Sequence, residues 1–230
     1  MKSVEIEDIR KSNYFYDEAI KTLRTNLQFA GKRVKSILIT SSYPNEGKSD
    51  ISISLAKELS SIGKKVLLID ADIRKSAYFS HFRVNQEVKG MSQFLSGQIA
   101  VKDLIYATNY DNMDIIFGGA PVPDPTGLLG DEIFGAFMKE IRGYYDYIIC
   151  DTPPIANIID AVLVAKYCDG AIYVVEQGAV SYRVAQKGIN RIRKTGCRIL
   201  GTVLNKTDQK QDKYYKKYGQ YYQKTDSTQQ

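Results

Sequence analysis

Gly47-Lys48-Ser49 stands directly after an apolar run and directly before a helical pattern. In that setting these residue types predict phosphate chemistry. Backbone N–H groups of the loop and the N-terminus of the following helix cradle an anion. Lys48 reaches the β- and γ-phosphates, and the Ser49 hydroxyl ligates Mg²⁺. Ser42 occupies the place where the first glycine of such a loop is usual, and Asn45, Glu46 and Asp50 complete the expected nucleotide-binding segment.

Two acidic motifs accompany the loop. Leu67-Leu68-Ile69-Asp70-Ala71-Asp72-Ile73-Arg74 sets two carboxylates at i, i+2 past an apolar run, a spacing that suits one shared Mg²⁺–phosphate site. Turn formation or helix capping by Asp is the competing use. Tyr147-Ile148-Ile149-Cys150-Asp151-Thr152-Pro153-Pro154 puts Asp151 at another strand end, where the prolines stop the strand and fix the loop. The metal set expected from the three motifs is Ser49, Asp72 and Asp151. Leu204-Asn205-Lys206-Thr207-Asp208 resembles the NKxD base-reading loop of GTPases. Asn205 is therefore expected to contact the base, adenine or guanine, or simply to close a strand.

Positioning these groups requires a particular scaffold. Apolar runs at 34–40, 65–70, 113–117, 147–151, 171–176 and 198–205 alternate with helical patterns at 48–62, 131–144, 158–167 and 180–195. Near-continuous Ile, Leu and Val mark strands buried on both faces, so the rhythm predicts an α/β fold with a doubly wound, mainly parallel sheet. Ligands in such folds bind at the carboxyl ends of the strands, where all three motifs fall. An amphipathic helix is expected over 14–30, with Ala19, Ile20, Leu23 and Leu27 on one face.

The chain has 230 residues, 43% hydrophobic and 25% charged, enough for one such domain (1–205) with an appendage (206–230). No apolar run reaches the ~18–20 residues that span a bilayer, and the first residues lack a signal-peptide core. Cys150, Cys168 and Cys197 show no CxxC or metal spacing, which fits a reducing cytosol. The imbalance is aromatic: 17 Tyr against 8 Phe and no Trp. Tyr214, Tyr215, Tyr218, Tyr221 and Tyr222 cluster in the final segment, which holds six Lys and three Asp but no Ile, Leu, Val, Met or Phe. That segment reads as a solvated, conditionally ordered tail carrying half of the formal +6. Lys and Tyr interleaved also suit single-stranded nucleic acid, but no nucleic-acid motif accompanies them, and no nucleic-acid partner is expected.

Together the phosphate loop, the segment Leu67–Arg74 and the segment Ile148–Pro153 resemble those of the bacterial tyrosine kinase (BY-kinase) family, in its cytoplasmic form from capsular and exopolysaccharide synthesis. The first of the two acidic motifs, Leu67–Arg74, is a Walker A′, which is absent from ordinary P-loop proteins. The resemblance implies the deviant-P-loop fold shared with MinD and ParA, ATP and Mg²⁺ as cofactors, and autophosphorylation of the tyrosine cluster. Glu18, Lys21 and Arg24 are similar to the family's ExxRxxR ring-oligomerisation helix, with Lys for the first Arg. The implied partners are a transmembrane activator that doubles as a polysaccharide co-polymerase subunit, a cognate tyrosine phosphatase and further copies of the chain. The implied place is the cytoplasm, peripheral at the inner membrane face.

Within that reading Lys48, Asp70, Asp72 and Asp151 are the catalytic set, with Asp70 as the candidate acceptor of the tyrosine proton. Arg74 is expected to steady the acidic loop or the γ-phosphate, or else to pair with Asp72 or another subunit. His81 is expected to be structural. Tyr43 stands where MinD-type relatives place a signature lysine, which favours the kinase branch over a partitioning ATPase. The departures from the family are Asp50, where it carries an uncharged residue, and Gly127, where relatives often carry Glu. A carboxylate ~4 Å from another charge costs about 4 kcal/mol at an effective dielectric near 20. Asp50 therefore keeps open a catalytically impaired regulatory subunit, and a ParA/MinD-like ATPase switch, which would use the same site without the tyrosine cluster, is the other alternative.

Overall fold

The computed structural model describes residues 2–6, 14–31, 33–75, 78 and 88–207. His81 and the tyrosine cluster 214–222 lie outside the described residues. In chain order the elements are β1 (Lys2–Val4), α1 (Tyr14–Phe29), β2 (Ser36–Ser41), α2 (Lys48–Ser61), β3 (Val66–Asp70), α3 (Met91–Leu95), β4 (Tyr106–Thr108), β5 (Met113–Ile116), α4 (Pro125–Gly130), α5 (Glu132–Ile141), β6 (Tyr147–Asp151), α6 (Asp160–Ala165), β7 (Gly170–Glu176), α7 (Tyr182–Arg193) and β8 (Arg198–Asn205). The strands form an eight-stranded sheet in the order β1-β4-β5-β3-β6-β2-β7-β8. Every pairing is parallel except β4 with β5.

The apolar runs become the central strands because alternate residues have a core on each side. Leu38, Leu67, Ile69, Ile148 and Cys150 pack with Phe134 and Phe137 of α5 and Val164 of α6. Ile37, Ile39, Val66, Leu68 and Ile149 pack with Leu55 and Leu59 of α2 and Leu27 of α1. Each fully buried aliphatic contributes roughly 1.5–3 kcal/mol, so the apolar strands need helices on both faces. In α1, Ile20 and Leu27 are buried and Leu23 partly so, whereas Ala19 is exposed. The apolar stripe is thus narrower than the sequence pattern predicts.

Three-residue β1 and β4 and five-residue α3 escape sequence reading because they are too short to display a period. β8 is an edge strand with a register shift at its pairing with β7 and an exposed Leu204, not a doubly buried one. The three cysteines are free and buried in one core cluster. Burial, with Asp169 nearby, pushes the Cys197 thiol up to about 12, which leaves it a small apolar core residue.

The opposite end of the sheet from the motifs is tied by one carboxylate. Asp169 Oδ2 accepts the Lys35 and Ser36 amides, both at 2.8 Å, and Arg142 Nη1 at 2.6 Å. Burial opposes ionisation, but the Arg142 guanidinium and the two amides hold this carboxyl below its usual range.

Candidate active site

The phosphate loop joins β2 to α2 with two left-handed residues, Asn45 (φ 64°) and Gly47 (φ 85°). Gly47 is the N-cap of α2 with no side-chain cap, so the amides of the first turn face outward uncapped, the arrangement that holds an anion. A side chain at Gly47 is disfavoured for a second reason: its Cβ would lie 2.1 Å from Asn205 Nδ2, which would have to give up its bond to the loop.

Side chains lock this loop from behind. Ser42, standing for the usual glycine, is buried and shares a 2.9 Å hydrogen bond with the Tyr173 hydroxyl of β7. Glu46, almost fully buried, accepts the Tyr43 amide and, at 2.9 Å, the Glu176 amide. Its carboxylate therefore faces the protein, and what it offers a nucleotide is backbone. Asn205 donates to the Glu46 carbonyl at 2.8 Å. Lys206, which composition assigns to the tail, donates to the Asn45 carbonyl at 2.6 Å and pairs with Glu176 at 2.8 Å. The end of β8 thus braces the loop.

The acidic motifs arrive beside it through strand register. Asp70 and Asp151 are opposite one another on β3 and β6. Asp70 is fully buried, its Oδ1 accepting the Asp72 amide at 3.1 Å and its Oδ2 the Gly118 amide at 3.3 Å. Asp72 is half-buried, with Oδ1 accepting the Arg74 and Lys75 amides. Burial raises the Asp72 carboxyl above its usual range, and the Lys75 amide and the Lys48 ammonium offset part of that. Asp151 is pushed up to about 6 by burial, while the Lys48 ammonium pulls the other way. Lys48, Ser49, Asp72 and Asp151 therefore lie near one another at the carboxyl ends of the central strands β2, β3 and β6.

Tyr78 and Asp160 are the two residues that sequence reading misses. Tyr78 is fully buried and lies against the acidic cluster, where burial and the charges of Asp151, Asp70 and Asp50 raise its phenol. Asp160, at the start of α6, is fully buried and grips Arg74 at two points. Thr126 completes that clamp by accepting from Arg74 Nη2 at 2.6 Å. The Arg74 side chain thus pairs with Asp160 rather than Asp72. The one sequence signal for Asp160 is a lone acid opening an apolar helix, indistinguishable from a helix-end charge.

Asp50 sits half-buried in the first turn of α2, 3.8 Å from the ideal Gly47 Cβ position. On α1, Glu18 and Lys21 form an exposed pair at 2.6 Å. Arg24 instead turns inward to Glu58 of α2 at 2.7 Å, both side chains mostly covered.

The residues present fit a Mg²⁺–nucleotide. Asp151 Oδ1 is buried and has no hydrogen-bond partner among the described residues, with the Ser49 hydroxyl and Lys48 alongside. A buried carboxylate oxygen left unpaired is costly unless a cation completes it.

Residues 34–206 match the AAA domain family. The chain is 37% identical to tyrosine-protein kinase CpsD of Streptococcus pneumoniae over 219 residues, 94% of this chain and 95% of that one. Among solved structures, the chimerical protein CapA2B2 superposes with a TM-score of 0.80 at 29% identity, covering 91% of this chain and 95% of that one. The kinase domain of Escherichia coli tyrosine kinase ETK does so at 0.77 and 28%, covering 84% and 77%. MinD of Pyrococcus horikoshii, at 24% identity and a TM-score of 0.63 over 74% and 69% of the two chains, shares the fold alone. With the phosphate loop, the Walker A′ pair and the Walker B aspartate close together at the carboxyl ends of the strands of a MinD-like sheet, the chain belongs to the bacterial tyrosine-protein kinase family, on an AAA-type nucleotide-binding domain.

Proposed function

We propose that this protein is an ATP-dependent tyrosine autokinase that transfers the γ-phosphoryl group to Tyr214, Tyr215, Tyr218, Tyr221 and Tyr222 of another copy in a ring. The observation that carries the reading is the convergence of Lys48, Ser49, Asp72 and Asp151 beside a loop whose brace, Lys206, begins the tyrosine-bearing segment. Phosphoryl transfer needs positioning and charge neutralisation more than covalent help from the enzyme. The loop amides and Lys48 hold the β- and γ-phosphates, and Asn205 and Lys206 keep those amides aimed. Ser49, Asp72 and Asp151 would hold Mg²⁺, which would supply charge neutralisation at the phosphate oxygens.

The acceptor Oη–P bond forms as the bond from the γ-phosphorus to the β–γ bridging oxygen breaks, and ADP leaves. The phenolic proton passes to a carboxylate at the cleft. Asp70, opposite Asp151 at the end of β3, is the candidate for that proton, while Asp72 faces the cation. Lysines 213, 216 and 217 draw the tail toward this acidic cleft.

The same reading places the protein at the inner membrane face beside a transmembrane activator, in control of capsular or exopolysaccharide synthesis and export, with a phosphatase resetting the tail. Glu18 and Lys21 serve the ring contact, and Arg24 joins it by exchanging Glu58 for a partner. Incubating the chain with Mg–ATP and an activator fragment, then mapping phosphotyrosine by mass spectrometry, tests the proposal. Tail phosphate that disappears in Lys48→Met supports it. Its absence favours an ATPase switch, or the impaired subunit that Asp50 suggests. A tail-deleted active chain must also phosphorylate a Lys48→Met partner.

A further inference from the structure

From Gln177 to Asn205 the chain carries Arg183, Lys187, Arg191, Arg193, Lys194 and Arg198 and no Asp or Glu. Most of this charge falls on α7, a helix that buries only Gly188 and Ile192. Arg191 is occupied, donating to the Ile155 carbonyl at 2.7 Å and the Ala156 carbonyl at 3.0 Å, which fastens α7 to the loop after the Walker B aspartate. Arg183, Lys187, Arg193 and Lys194 are exposed, and among the described residues no carboxylate pairs with any of them. Arg183, Lys187 and Lys194 line an open groove with Tyr182 and Asn190. So many uncompensated cations on one face repel each other and call for an anionic occupant.

The chain itself supplies one. β8 ends at Asn205, in register with Glu176 of β7, and Asn205 accepts the Gln177 amide at 3.0 Å. The tail thus departs from the same sheet edge at which the chain turns from β7 into α7. Tyr222 lies 15 residues beyond Thr207, a reach of about 50 Å, while α7 is only ~18 Å long. Unmodified, residues 206–230 carry a net +3 and are repelled by the helix. Each tyrosine phosphate adds about −1.5 to −2. Two phosphates bring the tail near neutrality, and three or more make it anionic.

We infer that the exposed basic face of α7 is a docking site for the multiply phosphorylated tail, of the same or a neighbouring copy. This rests on the autokinase reading for the source of the phosphates. Guanidinium and ammonium groups pair with phosphate oxygens in charge-assisted hydrogen bonds, Arg183 being able to bind bidentately. Because the tail is tethered, its effective concentration is millimolar. A dissociation constant of tens of micromolar in trans therefore gives nearly full occupancy in cis. Docking withdraws the tail from the acidic cleft after about the third transfer. The opposite charges of the two surfaces make one segment move from cleft to helix as it is modified.

A synthetic peptide of residues 208–225 with phosphotyrosine at 214, 218 and 221 tests this against the full chain carrying Lys48→Met, whose own tail stays unmodified. Fluorescence anisotropy at low ionic strength is expected to give binding at least about tenfold tighter than for the unphosphorylated or singly phosphorylated peptide. The combined Arg183→Glu, Lys187→Glu and Lys194→Glu change is expected to remove that advantage with an unchanged melting temperature. If the triple change lowers the melting temperature, Arg183→Gln with Lys187→Gln is judged by the same criterion. Equal binding of all peptides, or triple-phosphopeptide binding that survives the substitutions, overturns the inference. So does capture of the chain through this face by vesicles of phosphatidylglycerol and phosphatidylcholine in equal parts while the phosphopeptide fails to bind. The peptide carries its own phosphates, so these outcomes are independent of whether the chain phosphorylates itself.

Discussion

Arg74 and Asp160 face each other at two points, Nε to Oδ2 at 2.6 Å and Nη2 to Oδ1 at 3.0 Å, and so join the acidic loop after β3 to the first residue of α6. Asp160 is fully buried whereas Arg74 keeps partial exposure, so the pair is a sealed anchor with one wet end. The pairing and burial of Asp160 make the loop's position a property of the core, not of the nucleotide.

Replacing Arg74 with Ala leaves the Asp160 carboxylate buried and short of its main partner. Stability is expected to fall by about 2–3 kcal/mol, below the usual cost of breaking a fully buried pair because Arg74 is partly solvated. Misplacing Asp72 is expected to lower the autophosphorylation rate about ten- to hundredfold. Urea unfolding and initial rates check the two effects separately, and Arg74→Lys, which cannot grip at two points, is expected to recover only part of either.

Asp151→Asn is expected to act with opposite signs on stability and binding. The carboxylate is buried with one oxygen unpaired, so removing its charge raises the apo melting temperature. Mg–ATP affinity is expected to drop by a hundredfold or so, since the proposed Mg²⁺ site loses a charged oxygen. Calorimetry on the apo chain and nucleotide titration in Mg²⁺ measure both. A destabilised apo variant would count against a cation-shaped gap at Asp151.

Asp50→Thr is expected to tighten ATP binding at least tenfold, because a carboxylate leaves the helix end where the phosphates sit. The same change costs the empty protein roughly 0.3–1 kcal/mol, because the acid in the first turn complements the α2 dipole. Unchanged ATP affinity would show that Asp50 points its charge clear of the nucleotide.

Asp169 supplies one contribution to the pH dependence, opposite in sign to that of Asp151, whose raised carboxyl costs stability as pH rises above its unfolded value. The folded Asp169 carboxyl titrates below the unfolded value of about 3.8, held there by Arg142 and the Lys35 and Ser36 amides despite partial burial. The stabilisation is therefore fully present above the unfolded pKa and is lost as pH falls through the folded one. Asp169→Asn is expected to cost about 1.5–3 kcal/mol at neutral pH and progressively less below pH ~4. Denaturant midpoints of both forms across that range give the comparison.

Much of this protein is determined by local sequence. The runs that form β2, β3, β5, β6 and β7 are apolar on both alternations, which can be satisfied only inside a layered sheet, and the phosphate loop and both acidic motifs lie at their ends. Lys48, Ser49, Asp72 and Asp151 were legible because strand ends, loop glycines and acids are features of a few adjacent residues. The tertiary structure alone decided what lies behind them. Ser42 reaches Tyr173, Glu46 reaches Glu176, Asn205 and Lys206 reach the phosphate loop, and Arg74 reaches Asp160, all across more than 80 residues of chain. Strand order creates those contacts, and no local pattern encodes it. Burial separates Asp70 from Asp72 for the same reason. The two are identical in type and two residues apart, but one is sealed by backbone amides at the sheet and the other stands at the cleft.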